Sequence, residues 1–199
     1  MTETTVTHPG NREPVAFTKA ELGWLPWLSP PEESDLTEAQ REALIDPARA
    51  KSAYFRLLAR DPAILKSRTL TDKDIFYNTK DGLPRAEREL SATAASRFNG
   101  CIYCASVHAR FATTFSKRGD DVQRLLDDGV GTDLGERWNA IVAASVALTQ
   151  TPIAFGPEHV TRLRAAGLGD DEIVDVINGA SFFNWANRLM LSLGEPQEG

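Results

Sequence analysis

From Leu36 onward, apolar positions in this 199-residue chain recur at helical spacing, and no stretch alternates strictly with polar residues between hairpin turns. "DLTEAQREAL" opens with Asp35 or Thr37 as a candidate N-cap. "PARAKSAYFRLLARDP" reads as a helix that starts at Pro47 and stops at Pro62. "TDKDIFYNTK" supplies a further short helix before the turn "DGLP". Further helical stretches follow in "RAERELSATAASRF", "DVQRLLDDG", "LGERWNAIVAASVALTQ" and the long run from "GPEHVTRLRAAG" to "FFNWANRLMLSLG". The pattern predicts an all-α bundle of about eight to ten helices over residues 36–199, without internal repeats. "DDGVGTD" and "GLGDDE" read as helix-ending turns, and neither has the arrangement of a phosphate-binding loop.

The first 35 residues break this pattern. Residues 1 to about 15 are rich in Thr, Pro, Gly and Asn without apolar periodicity, so a mobile tail is expected, with His8 solvated. "FTKAELGWLPWLSPPEESDLT" is too aromatic for a free linker. It reads as an irregular arm that packs Trp24 and Trp27 on the domain or on a neighbouring subunit.

Charge and composition narrow the function. A formal net charge of -6 argues against nucleic acid and anionic membrane surfaces as partners, because both need a basic face. No run of about 18 apolar residues is present, and the first twenty residues lack the apolar core of a signal peptide. A cytoplasmic location is therefore expected, where two cysteines at CxxC spacing point to redox or metal chemistry more than to a structural disulfide.

Both cysteines and one of the three histidines fall in "NGCIYCASVHARF", residues 99–111. On a helix that starts after the Asn99-Gly100 breaker, Cys101, Cys104, His108, Phe111 and Phe115 lie within roughly 80° of one another. The opposite side carries Tyr103, Ser106, Ala109, Arg110 and Thr113. The thiols and His108 are thus expected to face protein interior or a cleft. A cysteine in a first helical turn feels the partial positive charge of unpaired N–H groups, which favours thiolate. Two cysteines three positions apart can close a disulfide, and His108 one turn on can exchange a proton. Peroxide reduction through a sulfenic acid and a disulfide needs no metal or organic cofactor. Disulfide exchange or redox sensing, and a metal-binding or purely structural role for Cys101, Cys104 and His108, remain alternatives.

The segment "ERELSATAASRFNGCIYCASVHARF" resembles the core motif of the alkyl hydroperoxidase D (AhpD)-like proteins of the carboxymuconolactone decarboxylase superfamily. That motif runs Glu, eleven residues, Cys, two residues, Cys, three residues, His. Glu89, Cys101, Cys104 and His108 meet every spacing. From "ELGWLPWL" to "FFNWANRLMLSLGEP" the chain resembles the peroxidase-related branch. The resemblance implies an AhpD-like helical bundle assembled as a dimer, trimer or hexamer, reducing an organic hydroperoxide or hydrogen peroxide. It also implies electrons from a dithiol or a lipoyl-type donor protein. Cys104 would be the peroxidatic cysteine, Cys101 the resolving one, and Glu89 with His108 the proton relay. Tyr103 stands where the well-studied hydroperoxidases often carry another histidine, leaving the relay one member short. Glu89 is chosen on that spacing alone, because Glu87 lies as close to the apolar face set by Ala86, Leu90 and Ala94.

Outside the motif, "FFNWANRLMLSLG" reads as a core or interface helix, with Asn184 or Trp185 as alternative cleft residues. Trp138 reads as core, and His159 as an exposed or capping residue at a helix start.

Overall fold

The computed structural model describes residues 4–78 and 80–199. Among these, nine α-helices and one two-stranded sheet follow in the order β1 (Leu22–Pro26), α1 (Glu38–Ala43), α2 (Ala53–Leu58), α3 (Pro62–Tyr77), α4 (Arg85–Asn99), α5 (Ile102–Ser116), α6 (Gly119–Asp128), α7 (Glu136–Thr149), α8 (Pro157–Ala165), α9 (Asp170–Leu193) and β2 (Gly194–Glu198). The fold is all-α apart from that small sheet. No helix among the described residues is long and apolar enough to cross a membrane.

Helix α4 is the axis of the bundle, packed by α5, α7 and α9. Every residue from Glu87 to Ser96 is buried, so over that stretch the helix has no solvent face. Its end is set by Gly100, which adopts a left-handed conformation (φ 79°, ψ 12°) that an L side chain enters only at a cost. The chain reverses there, Cys101 becomes the N-cap of α5, and α5 runs back along α4. Ser106 and Ala109, expected on the more polar side of α5, are fully buried, since that side packs into the bundle.

Two boundaries differ from the sequence expectation: the stretch from Pro47 to Lys51 is a 3-10 turn, with α2 starting only at Ala53, and the stop at Pro62 is also a start. Pro62 both stops the preceding segment and starts α3, where Asp61 caps by accepting from the Ile64 N–H. The "TDKDIFYNTK" helix is therefore the second half of one sixteen-residue α3. Thr37 is the N-cap of α1, closing a reciprocal capping box with Gln40.

The N-terminal segment is tied down from Val6 on, while residues 1–3 of the tail expected to be mobile lie outside the described residues. β1 pairs antiparallel with β2, Leu22 opposite Glu198 and Pro26 opposite Gly194. His8, expected to be solvated, is half-buried with Nε2 2.8 Å from the Pro26 carbonyl. The Val6 N–H donates to the Trp27 carbonyl, and Asn11 and the Trp27 indole both donate to Glu195. A tail read as mobile is held because its partners lie at the far end of the chain. Trp24 reaches further, with its ring edge on Tyr54 at 5.4 Å between centroids, so the arm supports the side chains that line the site.

The backbone at Gly100 yields a test. A Cβ there would meet nothing within 4 Å, so Gly100→Ala should lose about 1–2 kcal/mol through its backbone conformation alone. Gly100→Asn should lose less, because Asn tolerates that region. Urea unfolding followed by tryptophan fluorescence measures both.

Candidate active site

Helices α4 and α5 bring the four motif residues together. Glu89 is 0% exposed, Cys101 1%, Cys104 6% and His108 7%. A carboxylate buried this completely needs partners on both oxygens. Arg85, one turn earlier on α4, donates Nε to Oε1 at 2.6 Å, and His108 places Nδ1 2.5 Å from Oε2. Arg85 also donates to the Phe76 carbonyl, and its guanidinium lies 4.2 Å from the Tyr77 ring centroid and 5.1 Å from that of Phe115. The imidazole is held by Phe183 (3.9 Å between centroids) and Phe76 (5.2 Å). With Nδ1 donating to the carboxylate, Nε2 is the nitrogen left with a free lone pair. Glu87, which periodicity had left equal to Glu89, turns away to a bidentate ion pair with Arg137 at 2.8 and 2.7 Å.

The two sulfurs are 2.8 Å apart as free thiols. Only about 0.8 Å separates them from a disulfide bond length. The hydrogen bond with Cys104 draws the Cys101 thiol below its ordinary value, although burial opposes this, and Asn187 adds a smaller push downward. Burial drives Cys104 well above the ordinary thiol value, and the neighbouring Cys101 sulfur adds to the rise. The two sulfurs are thus pushed in opposite directions, so the pair loses its protons in two separated steps. Asn187 is fully buried on α9, donates to Ser96 Oγ at 3.0 Å and accepts from Asn99 at 3.0 Å.

Cys104, His108 and Glu89 line a cavity of about 190 Å³, whose other walls are mainly aromatic and include Phe55, Phe76, Phe111 and Phe183. Cys101 opens instead on a second cavity of about 130 Å³, bordered by Trp24, Gly100, Met190 and Pro196. Tyr103 borders both cavities. Among the described residues, no group of three or more His, Cys, Asp or Glu side chains is arranged to hold a metal ion.

Sequence reasoning missed Tyr54, Arg68 and Asn187. Nothing marks the first two in the sequence. Asn187 carries a faint signal, an amide inside the apolar run "FFNWANRLML". Trp185, considered for the cleft, is 40% exposed and lies on the other side of α9 beside Ile64 and Phe182, while Asn184 accepts a hydrogen bond from Asn99. Trp138 is core, and His159 caps α8 by accepting from the Gly156 N–H.

Residues 62–147 match the carboxymuconolactone decarboxylase family model. The AhpD core of an uncharacterized peroxidase-related protein from Ralstonia eutropha JMP134 superposes with TM-score 0.69 at 20% identity, covering 94% of this chain and 92% of that one. A peroxidase-related protein from Silicibacter sp. TM1040 gives 0.69 at 22% identity, covering 84% and 88%. Residues 62–147 thus resemble the carboxymuconolactone decarboxylase family, and the fold of the chain is AhpD-like. The debrominase Bmp8 has the same fold, with TM-score 0.66 at 17% identity over 82% of this chain and 88% of its own, and a cysteine-to-alanine variant of it has been solved with 2,3,4-tribromopyrrole. No curated protein matches the sequence. The matched family domain contains all four motif residues, whereas Tyr54, Phe183 and Asn187 are contributed from outside it.

The sulfur pair predicts a two-step titration. Thiolate absorbance should show one ionisation below the ordinary thiol value and a second well above it. In Cys104→Ala the low step should move upward, because the hydrogen bond that favours the Cys101 thiolate is gone while burial remains. In Cys101→Ala the remaining thiol should still titrate above the ordinary value, since burial is the first cause of its rise.

Proposed function

We propose that the chain is a thiol peroxidase that reduces organic hydroperoxides or hydrogen peroxide at Cys104. The observation that carries this is the 2.8 Å sulfur pair at the wall of a largely apolar cavity shared with the His108–Glu89 couple. His108 Nε2 takes the Cys104 proton as the sulfur attacks the distal peroxide oxygen. The O–O bond breaks, Cys104 becomes a sulfenic acid, and the alkoxide leaves with the proton that His108 returns. Cys101, as thiolate, then attacks the Cys104 sulfur; the S–S bond forms and hydroxide leaves, to be protonated to water. Two thiols and ROOH give one disulfide, ROH and water. The cavity beside Cys101 offers an incoming dithiol or lipoyl-type donor a separate route to the disulfide. Ile64 and Trp185, exposed beside one another on α3 and α9, support assembly into a homo-oligomer.

A second reading draws on the debrominase's fold and the aromatic walls of the cavity. An aryl bromide can take the place of the peroxide as the two-electron acceptor, with R–Br and two thiols giving R–H, HBr and the disulfide. Bromide release from a bromopyrrole, without thiol loss to peroxide, would favour it over the peroxidase.

The test is to treat reduced protein anaerobically with one equivalent of cumene hydroperoxide and follow free thiols and intact mass. Two thiols and two hydrogens should be lost together, and Cys101→Ser should trap a sulfenic acid on Cys104. Glu89→Gln should slow the oxidation about 100-fold or more, because the imidazole loses its orienting carboxylate. If both thiols survive excess peroxide, the peroxidase reading falls.

A further inference from the structure

The main cavity contains two polar groups that this chemistry leaves unused. Arg68 on α3 is 8% exposed, and its Nε and Nη1 make no well-formed hydrogen bond; the hydroxyl of buried Tyr54 on α2, which faces that guanidinium, makes none either. Both residues line the cavity with Cys104. Unsatisfied donors buried to this depth are costly, and they are normally satisfied by protein, water or ligand. The nearest carboxylate does not fill the need, for Asp72 lies 3.6 Å from Arg68, beyond hydrogen-bond length, and equally 3.6 Å from Arg49. Two guanidinium groups share that one carboxylate, so a positive charge remains. The other cation of the cavity, Arg85, is matched by Glu89. Phe55 and Phe182 rings face the Arg68 guanidinium at 5.5 and 5.2 Å, stabilising its charge without occupying its N–H groups. Burial pushes the Tyr54 phenol upward, so the hydroxyl keeps its hydrogen and can donate.

The chemistry at the reacting oxygens does not call on these groups. His108 supplies the proton for the leaving alkoxide and Glu89 holds His108. Arg68 acts on Cys104 as a weak downward influence, behind burial, Cys101 and Asn187. Its free donors suit a second polar end of the substrate. The cavity has room for a single ring, since about 150 Å³ accommodates benzene and this cavity is about 190 Å³.

Taking the peroxidase chemistry above as its basis, we propose that Arg68 and Tyr54 form a carboxylate-binding subsite, and that the substrate is a single-ring or short-chain organic hydroperoxide carrying a carboxylate. The apolar body lies among the phenyl rings, the hydroperoxide reaches Cys104, and the carboxylate accepts from the guanidinium and the phenol.

Cumene hydroperoxide and its para-carboxy derivative, compared by kcat/KM in the same protein, test this. The carboxylated substrate should be preferred at least about tenfold. Arg68→Gln should bring the ratio close to one, Arg68→Lys should keep part of it, and Tyr54→Phe should reduce it severalfold. Because each ratio is taken within one variant, any common effect on the Cys104 thiolate or on stability cancels. No preference in the unmodified protein, or an equal loss for both substrates in Arg68→Gln, would overturn the subsite. If neither hydroperoxide oxidises the thiols, the peroxidase reading fails by itself, and calorimetry with benzoate and benzamide decides the subsite. Benzoate should then bind at least about tenfold tighter and lose that margin in Arg68→Gln; equal or absent binding of both overturns it.

Discussion

A carboxylate with no exposure to solvent, in a helical segment buried on every side, dictates how this site is assembled. Glu89 can stay at the centre of the bundle only if charge and hydrogen bonds meet it there. Arg85 satisfies one oxygen from the same helix, and His108 satisfies the other from α5. The second bond requires α5 to run back along α4 in a fixed register, and the left-handed turn at Gly100 provides that reversal. The register that delivers His108 to Glu89 also places Cys104 one turn earlier, beside the same cavity. The stability of the buried charge and the alignment of the chemical groups are therefore one constraint.

The sulfur pair depends on that same reversal. Cys101 is outside the helical conformation as N-cap, with φ -83° and ψ 88°, which swings its sulfur toward Cys104 rather than leaving it on the regular spiral. Asn187, brought in by α9, fastens the end of α4 by bonding Ser96 and Asn99 and also bears on both thiols. Three helices thus converge on two sulfurs, and only two of those helices belong to the matched family domain.

The helices from α4 to α9 were legible because Gly and Pro punctuate them and their apolar spacing is regular. α3 was read as a stop followed by a short helix because Pro62 serves both as terminator and as first residue. The sheet was invisible for a different reason. β1 and β2 are five residues each, neither alternates, and they pair across the whole chain, so no local window contains the signal. Glu89 could not be separated from Glu87 by periodicity because α4 is buried all round, and a helix without a wet side has no amphipathic pattern to read. The motif spacing carried that distinction, and the Glu87–Arg137 pair explains why the other glutamate is also buried. Arg68 and Tyr54 left no trace because their significance lies in bonds they do not make, which only three-dimensional packing reveals.

For the peroxidase cycle proposed above, the placement of Tyr103 bears on how two half-reactions would share one pair of sulfurs. Cys104 and Cys101 open on different cavities, and the tyrosine borders both. An oxidant with an apolar body suits the larger, aromatic cavity. A thiol reductant needs only to reach a sulfur of the disulfide, which the smaller cavity offers at Cys101. A histidine in place of Tyr103 would be smaller and would carry a titrating ring; the phenol, pushed upward in pKa chiefly by burial, stays neutral. In the proposed cycle the shorter proton relay would thus be matched by a fuller partition, with oxidant and reductant on separate sides of the bond they would make and break.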